Sequence, residues 1–155
     1  FGTMLLTPLF GSLYDKMGKG ATLMIIGSVL LTIVHILFAM PLLNVWWFAV
    51  IIMILLGIAF SLVPSAMWPS VPKIVPEKNL GTAYSLIYWI QNMGMMLVPI
   101  IVGHILNKYS GVEAAVNAEY VFIILGIVAI SVSMLLYFSS KKNPQLKLDV
   151  PNKEK

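Results

Sequence analysis

Five side chains in the apolar run 82–106 could together bind a small polar solute. Tyr84, Tyr88, Gln91, Asn92 and Met95 follow the spacing i, i+4, i+7, i+8 and i+11, which places them on one face of a helix. Phenol and amide groups inside an apolar run either contact a ligand or hydrogen-bond a neighbouring helix. The sequence leaves both interpretations open. The candidate solute-binding residues here are Tyr84, Tyr88, Gln91 and Asn92.

Two further candidate solute-binding residues, Ser61 and Ser65, lie near the end of the apolar run 45–68. Ser61 and Ser65 share one helix face and flank Pro64, which removes a backbone N–H and frees the carbonyl four residues earlier, a common device in hinged helices. Alternatively, the serines bond back to the preceding turn and the proline is a tolerated kink. Gly94 and Pro99 would loosen the helix of the run 82–106 as well. The candidate hinge positions are Pro64, Gly94 and Pro99.

The segment "GSLYDKMGKG", residues 11–20, carries three charges within five residues. Asp15 lies where a helix ends, which is an unfavourable position for an anion on its own helix dipole. A partner could come from another helix N-terminus or from the neighbouring lysines. The segment is therefore either an ordinary polar turn or a charge cluster that holds two helices together. The residues singled out in it are Gly11, Asp15, Lys16, Gly18 and Lys19.

The elements that must position these residues are membrane-spanning helices. The chain is 59% hydrophobic and only 10% charged, with a mean hydropathy of +0.93, far from the composition of soluble domains. In lipid, backbone amides must be paired within their own segment, and about 20 apolar residues cross the bilayer. We therefore predict an all-α, polytopic transmembrane bundle of about four and a half spans. The predicted spans are 1–14 (partial), 21–43, 45–68, 82–106 and 120–138, which together form one half-bundle over 1–138.

The connections predict an orientation. Nine of the ten lysines fall in the first connection, in the third connection and in the tail 139–155, all on one side of the membrane. By the positive-inside rule this side, with the C-terminus, is cytoplasmic. The connection 69–81 contains three prolines and is predicted to be non-helical. The polar tail 139–155 is predicted to be disordered, and the absence of a leader before the first apolar run predicts a C-terminal fragment.

Several kinds of function are disfavoured by the sequence. Cysteine is absent, and the chain has no metal-ligand cluster, phosphate-binding loop or catalytic triad, so we expect no metal, no cofactor and no enzymatic activity. The lysines form short clusters rather than a basic face, which argues against nucleic acid. The two histidines, His35 and His104, each appear alone, so they either hydrogen-bond within the bundle or carry protons. Predicted helix-packing positions are Gly27, Ser28, Gly126, Ser131 and Ser133.

The order of residues from Gly11 to Lys19, G-x-L-x-D-K-x-G-K, resembles the cytoplasmic-loop signature of the major facilitator superfamily. That family carries a weaker copy of the signature after its eighth helix, and the resemblance extends over essentially the whole chain. It implies a partial major facilitator fold, helices 8–12 of the C-terminal half. The stretches "FGTMLLTPLFGSLYDKMGKG", "PSAMWPSV" and "LGTAYSLIYWIQNMG" look like the branch that contains lysosomal dipeptide uniporters of animals and their bacterial relatives.

The resemblance implies transport by alternating access, with a dipeptide as the first choice of small organic solute. It implies that Asp15, supported by Lys16 and Lys19, contacts a helix N-terminus in the other half of the protein. The expected partners are a small-molecule solute, the lipid bilayer and the N-terminal half. Uniport and symport remain open, and a non-transporting scaffold or accessory subunit is the alternative function. A bacterial inner membrane is the first expectation for localisation, and a lysosomal membrane is the alternative.

Overall fold

A computed structural model describes residues 2–40, 45–143, 146 and 148, with side chains from residue 6 onward. This part of the chain contains helices and no strand, which confirms the predicted all-α class. Four helical segments are long and apolar enough to cross a membrane. Residues 41–44 lie outside the described residues, as does most of the predicted disordered tail. The α-helices are α1 (Gly2–Met17), α2 (Gly20–Ala39), α3 (Trp46–Ile74), α4 (Leu80–Lys108) and α5 (Gly111–Lys142), with a 3-10 turn at Glu77–Asn79 before α4.

Helix α3 continues through two prolines that we expected to lie in a non-helical connection. The prediction for 69–81 is wrong as far as Ile74, because Pro69 and Pro72 lie inside the helix. Ser70 and Val71, between these prolines, are buried against the rest of the bundle, and this packing outweighs the local penalty of proline. The helix ends at Ile74, just before Pro76, since the residue before a proline disfavours helical geometry and Val75 is extended.

Helix α2 is the central element of the bundle. It packs along α5 and α3, while α1 packs against α3. The helices alternate in direction. Trp68 late in α3 meets Tyr84 early in α4, and His35 late in α2 meets Glu119 early in α5, whereas the ends of α1 and α3 meet each other. One end of the bundle therefore holds the end of α1, the start of α2, the end of α3 and the start of α4, and we call it the motif end. The other end holds the start of α5.

Small residues allow α2 to approach its neighbours closely. A Cβ added to Gly27 would lie 2.7 Å from Val63 Cγ2 on α3, and a Cβ on Gly126 of α5 would overlap the Thr32 hydroxyl. Ser28 and Ser133 are also buried, so the packing role predicted for these glycines and serines is confirmed. Ser131 is the exception, because it is exposed and its hydroxyl donates to Ile127 O of its own helix.

Helix α4 is packed much less tightly than the other described helices. No residue of α4 is buried among the described residues, and α4 touches α5 lightly and α3 at few points. The hydrophobic core lies instead at the motif end, around Tyr14 from α1, Met24 from α2 and Leu62 from α3. The face of α4 that carries the predicted polar residues is therefore not covered by the other described helices.

We expect Gly126→Val to weaken the α2–α5 contact. The added side chain would overlap Thr32, whose Cβ lies 3.1 Å from the position of a new Cβ, and overpacking of this kind costs about 1–3 kcal/mol. The measurement is the melting temperature of the purified full-length protein. Gly103→Val on α4 is the matched control, because a Cβ there meets nothing within 4 Å. Equal melting temperatures for the two variants would contradict the close contact.

Candidate functional site

Three aromatic side chains join α3 to α4 and form what we call the aromatic cluster, Trp68, Tyr84 and Tyr88. The Trp68 ring centroid lies 5.8 Å from that of Tyr84 and 5.1 Å from that of Tyr88, within the range of favourable ring contacts. Tyr88 remains 52% exposed. The cluster therefore offers aromatic surface that the described helices do not cover.

The polar residues predicted on the same helix continue from this cluster toward the middle of α4. Gln91 and Asn92 are both exposed. Asn92 donates a hydrogen bond from Nδ2 to Tyr88 O at 2.9 Å, which leaves its amide oxygen unused by that bond. Their predicted role as solute contacts stays a prediction, and the geometry places them on the uncovered surface of α4.

The two candidate serines lie apart from that surface. Ser61 and Ser65 are only 1% and 5% exposed. Their hydroxyls donate to Gly57 O at 2.7 Å and to Leu62 O at 2.8 Å, both in their own helix. These are the bonds to the preceding turn that the alternative interpretation of the two serines predicts. A role for Ser61 and Ser65 in solute binding stays a prediction.

The candidate hinge positions all lie inside continuous helix. Pro64 is in α3 and Pro99 is in α4, and Gly94 has open space where a side chain would be. Their hinge function stays a prediction.

Residues 11–20, which we call the motif turn, comprise the end of α1, the short connection at residues 18–19 and the first residue of α2. Gly18 has a φ of 65°, and its N–H donates to Tyr14 O at 2.7 Å, so it ends α1 in the left-handed conformation that glycine adopts without strain. Asp15 lies in the last turn of α1, and both Lys16 and Lys19 are exposed. Gly11, by contrast, lies within α1, where a Cβ would meet nothing within 4 Å.

Tyr14 anchors the motif turn to α3, a role that the sequence analysis did not identify. The tyrosine is 0% exposed. Ser70 Oγ lies 3.2 Å from the Tyr14 hydroxyl and donates to Ala66 O at 2.6 Å. Lys73 Nζ lies 4.7 Å from the Tyr14 ring centroid, in a cation–π contact. Gly20 is required beside them, since a Cβ there would lie 2.7 Å from Ser70 Oγ.

His35 is not alone, contrary to the sequence-based expectation. Its Nδ1 lies 2.7 Å from Glu119 Oε2 on α5, and its ring stacks on Phe122 with centroids 4.9 Å apart. Glu119 was not recognised from the sequence because the predicted span begins at residue 120, whereas α5 begins at Gly111. The hydrogen bond within the bundle that one of the two interpretations of His35 predicts is present.

Comparison with known proteins places this sequence in a family. The sequence profile of the Major Facilitator Superfamily matches residues 1–155. The chain belongs to the major facilitator superfamily. With its apolar helices, it is an integral, multi-pass membrane protein.

Similar curated proteins carry a more specific description. The chain is 35% identical to the "Lysosomal dipeptide transporter MFSD1" of Bos taurus, over 92% of this chain and 31% of that protein. It is 37% identical to the protein of that name from Gallus gallus, over 86% of this chain and 28% of the relative. For Mus musculus the values are 34%, 94% and 32%. The chain thus spans about a third of the length of these relatives, and no solved structure matches it.

The geometry of the motif turn makes different predictions for its two glycines. We expect Gly18→Ala to lower the free energy of unfolding of the full-length protein by about 1 kcal/mol or more, because alanine is strained at positive φ. Gly18→Asn should lose less, since asparagine tolerates this conformation. Gly11→Ala is the control and should be neutral or stabilising, as is usual for glycine inside a helix. Equal losses for Gly18→Ala and Gly11→Ala in thermal unfolding would show that the turn is not the cause.

Proposed function

We propose that this chain forms part of the C-terminal half of a transporter that moves a small organic solute across the membrane by alternating access. The observation that carries the proposal is the uncovered surface of α4, where Tyr88, Gln91 and Asn92 lie exposed in a membrane-crossing helix. Polar side chains at membrane depth face a protein interior or a water-filled cavity. In transporters of this kind such a cavity lies between the two halves.

A dipeptide is the first choice of solute. The named relatives are described as dipeptide transporters, and the surface on α4 offers the matching chemistry. Amide side chains such as Gln91 and Asn92 can donate to and accept from a peptide bond. Aromatic faces such as Tyr88 attract an ammonium group. The aromatic cluster and the two amides would thus contact the ammonium end and the peptide bond of a dipeptide.

The motif turn would act at the cytoplasmic face, with the other half of the protein as its partner. Family membership supports this role for Asp15, flanked by Lys16 and Lys19. The lysine distribution supports a cytoplasmic motif end and C-terminus, since Lys73 and Lys141 also lie toward this end. The names of the relatives favour a lysosomal membrane over the bacterial inner membrane that we first expected.

We expect Gln91→Ala combined with Asn92→Ala to reduce transport. The assay is uptake of a radiolabelled dipeptide by the full-length protein in proteoliposomes. The initial rate should fall about fivefold or more, because each of the two lost hydrogen bonds contributes about 0.5–1.5 kcal/mol. Asn117→Ala is a matched control, since Asn117 is also bonded to its own helix, with Nδ2 2.8 Å from Glu113 O. Unchanged uptake in a well-folded double variant would refute the assignment of these amides.

A second experiment separates a transporter from a scaffold that moves nothing. The chain contains no cysteine, so single substitutions Gln91→Cys and Asn92→Cys introduce unique thiols into it. We expect both to react with a water-soluble maleimide and to be protected by excess dipeptide. Ile124→Cys, on the exposed apolar surface of α5, should react slowly because it would face lipid. Thiols at 91 and 92 that resist the reagent as strongly as the one at 124 would favour the scaffold.

A further inference from the structure

An acid–base pair joins two helices at the end of the bundle opposite the motif turn. His35 lies on α2 and Glu119 on α5, 84 positions apart in sequence, with Nδ1 and Oε2 separated by 2.7 Å. Their side chains are 13% and 24% exposed. This separation is a hydrogen-bond distance, and Nδ1–H can donate to the carboxylate whether or not Nε2 also carries a proton. The pair can therefore exist with the imidazole neutral or charged while the hydrogen bond is kept.

The surroundings of the imidazole are apolar on both sides. One face of the ring stacks on Phe122. An open cavity of about 520 Å³ lies beside it, lined mainly by apolar side chains of α2, α3 and α5. Attraction between opposite charges is stronger where apolar groups replace water. The cavity is lined by Leu31, His35, Met53, Leu56, Gly57, Phe60 and Phe122.

Few other ionisable groups lie on the elements around the pair. Within the described residues, α2 has no second titratable side chain, and the first one in α3 is Lys73, at the motif end. Helix α5 adds Glu113 and Tyr120 near its start, and α4 adds His104 and Lys108. Lys108 lies over the Tyr109 ring, with Nζ 5.4 Å from the centroid. Among the described residues, His35 is the ion-pair partner of Glu119.

The two helices are in close contact next to the pair. Thr32, three residues before His35, packs directly on Gly126 and donates its own hydroxyl to Ser28 O at 2.8 Å. The helices therefore cannot move far apart at this level without losing that contact. The contact between α2 and α5 is therefore formed whatever the charge of His35. A change in that charge would alter the strength of the contact and leave the contacting residues the same.

We propose that His35 and Glu119 form a proton-binding site that strengthens the contact between α2 and α5 when it is occupied. With Nδ1–H donating to the Glu119 carboxylate, an incoming proton binds Nε2 and gives an imidazolium beside a carboxylate. Histidine is the side chain that ordinarily changes charge between pH 5 and 8. The added attraction to the Glu119 carboxylate exists only while that proton is bound, so it is expected at low pH and is lost once the proton leaves. The site is separate from the aromatic cluster and does not depend on which solute is moved.

The test compares melting temperatures of the purified full-length protein at pH 6 and pH 8. We expect the advantage of the wild type over Glu119→Gln to be larger at pH 6 than at pH 8 by about 2 °C or more. Glu119→Gln keeps the shape and a hydrogen-bonding oxygen but cannot carry the negative charge. His35→Gln and the double variant complete a cycle that isolates the coupling between the two residues.

Two substitutions in the same chain serve as matched controls. His104→Gln removes an exposed histidine, and Glu113→Gln removes an exposed carboxylate of the same helix; both should preserve the wild-type difference between pH 6 and pH 8. A coupling that is equal at both pH values, or absent at both, would overturn the proposal. If His35→Gln fails to fold, the comparison of wild type with Glu119→Gln still decides. Dipeptide uptake is not the readout, so failure here is distinguishable from failure of the proposed transport.

Discussion

Close approach between helices at small residues is the constraint on which the rest of this structure depends. Lipid chains are as apolar as the helix surfaces, so helices associate in a membrane through packing and polar contacts. Gly27 allows α2 to lie against Val63 of α3, and Gly126 allows α5 to lie against Thr32 of α2. Helix α4 has no such contact and no buried residue. Its contact with α3 includes the ring of Trp68 against Tyr84 and Tyr88, and the other described helices leave its polar surface uncovered.

Polar groups within the bundle are satisfied in two ways. Ser61, Ser65 and Thr32 donate to carbonyls of their own helices, which meets the requirement that polar groups at membrane depth find partners. No buried side-chain nitrogen or oxygen among the described residues lacks a hydrogen-bond partner. A different set of side chains connects separate helices. It comprises Tyr14 with Ser70 at the motif end and His35 with Glu119 at the opposite end.

These two connections act on different helix pairs. The contact of Tyr14 ties the motif turn to the end of α3. The contact of His35 ties α2 to α5 and is bordered by an apolar cavity. In the proposed transporter, the solute and the motif turn would act through α1, α3 and α4. The proposed proton site would instead act through α2 and α5.

The sequence by itself determined the helices, the membrane setting and the family. Composition and run length are local properties, and a backbone in lipid has to form its hydrogen bonds within each segment. Periodicity also placed the tyrosines and amides of α4 on one face, and the signature from Gly11 to Lys19 indicated the superfamily. Only the tertiary structure decided that α3 continues through Pro69 and Pro72, that Trp68 meets Tyr88, and that His35 meets Glu119. Each of these depends on which helix faces meet, and this is set by the rotation and crossing of helices distant in sequence.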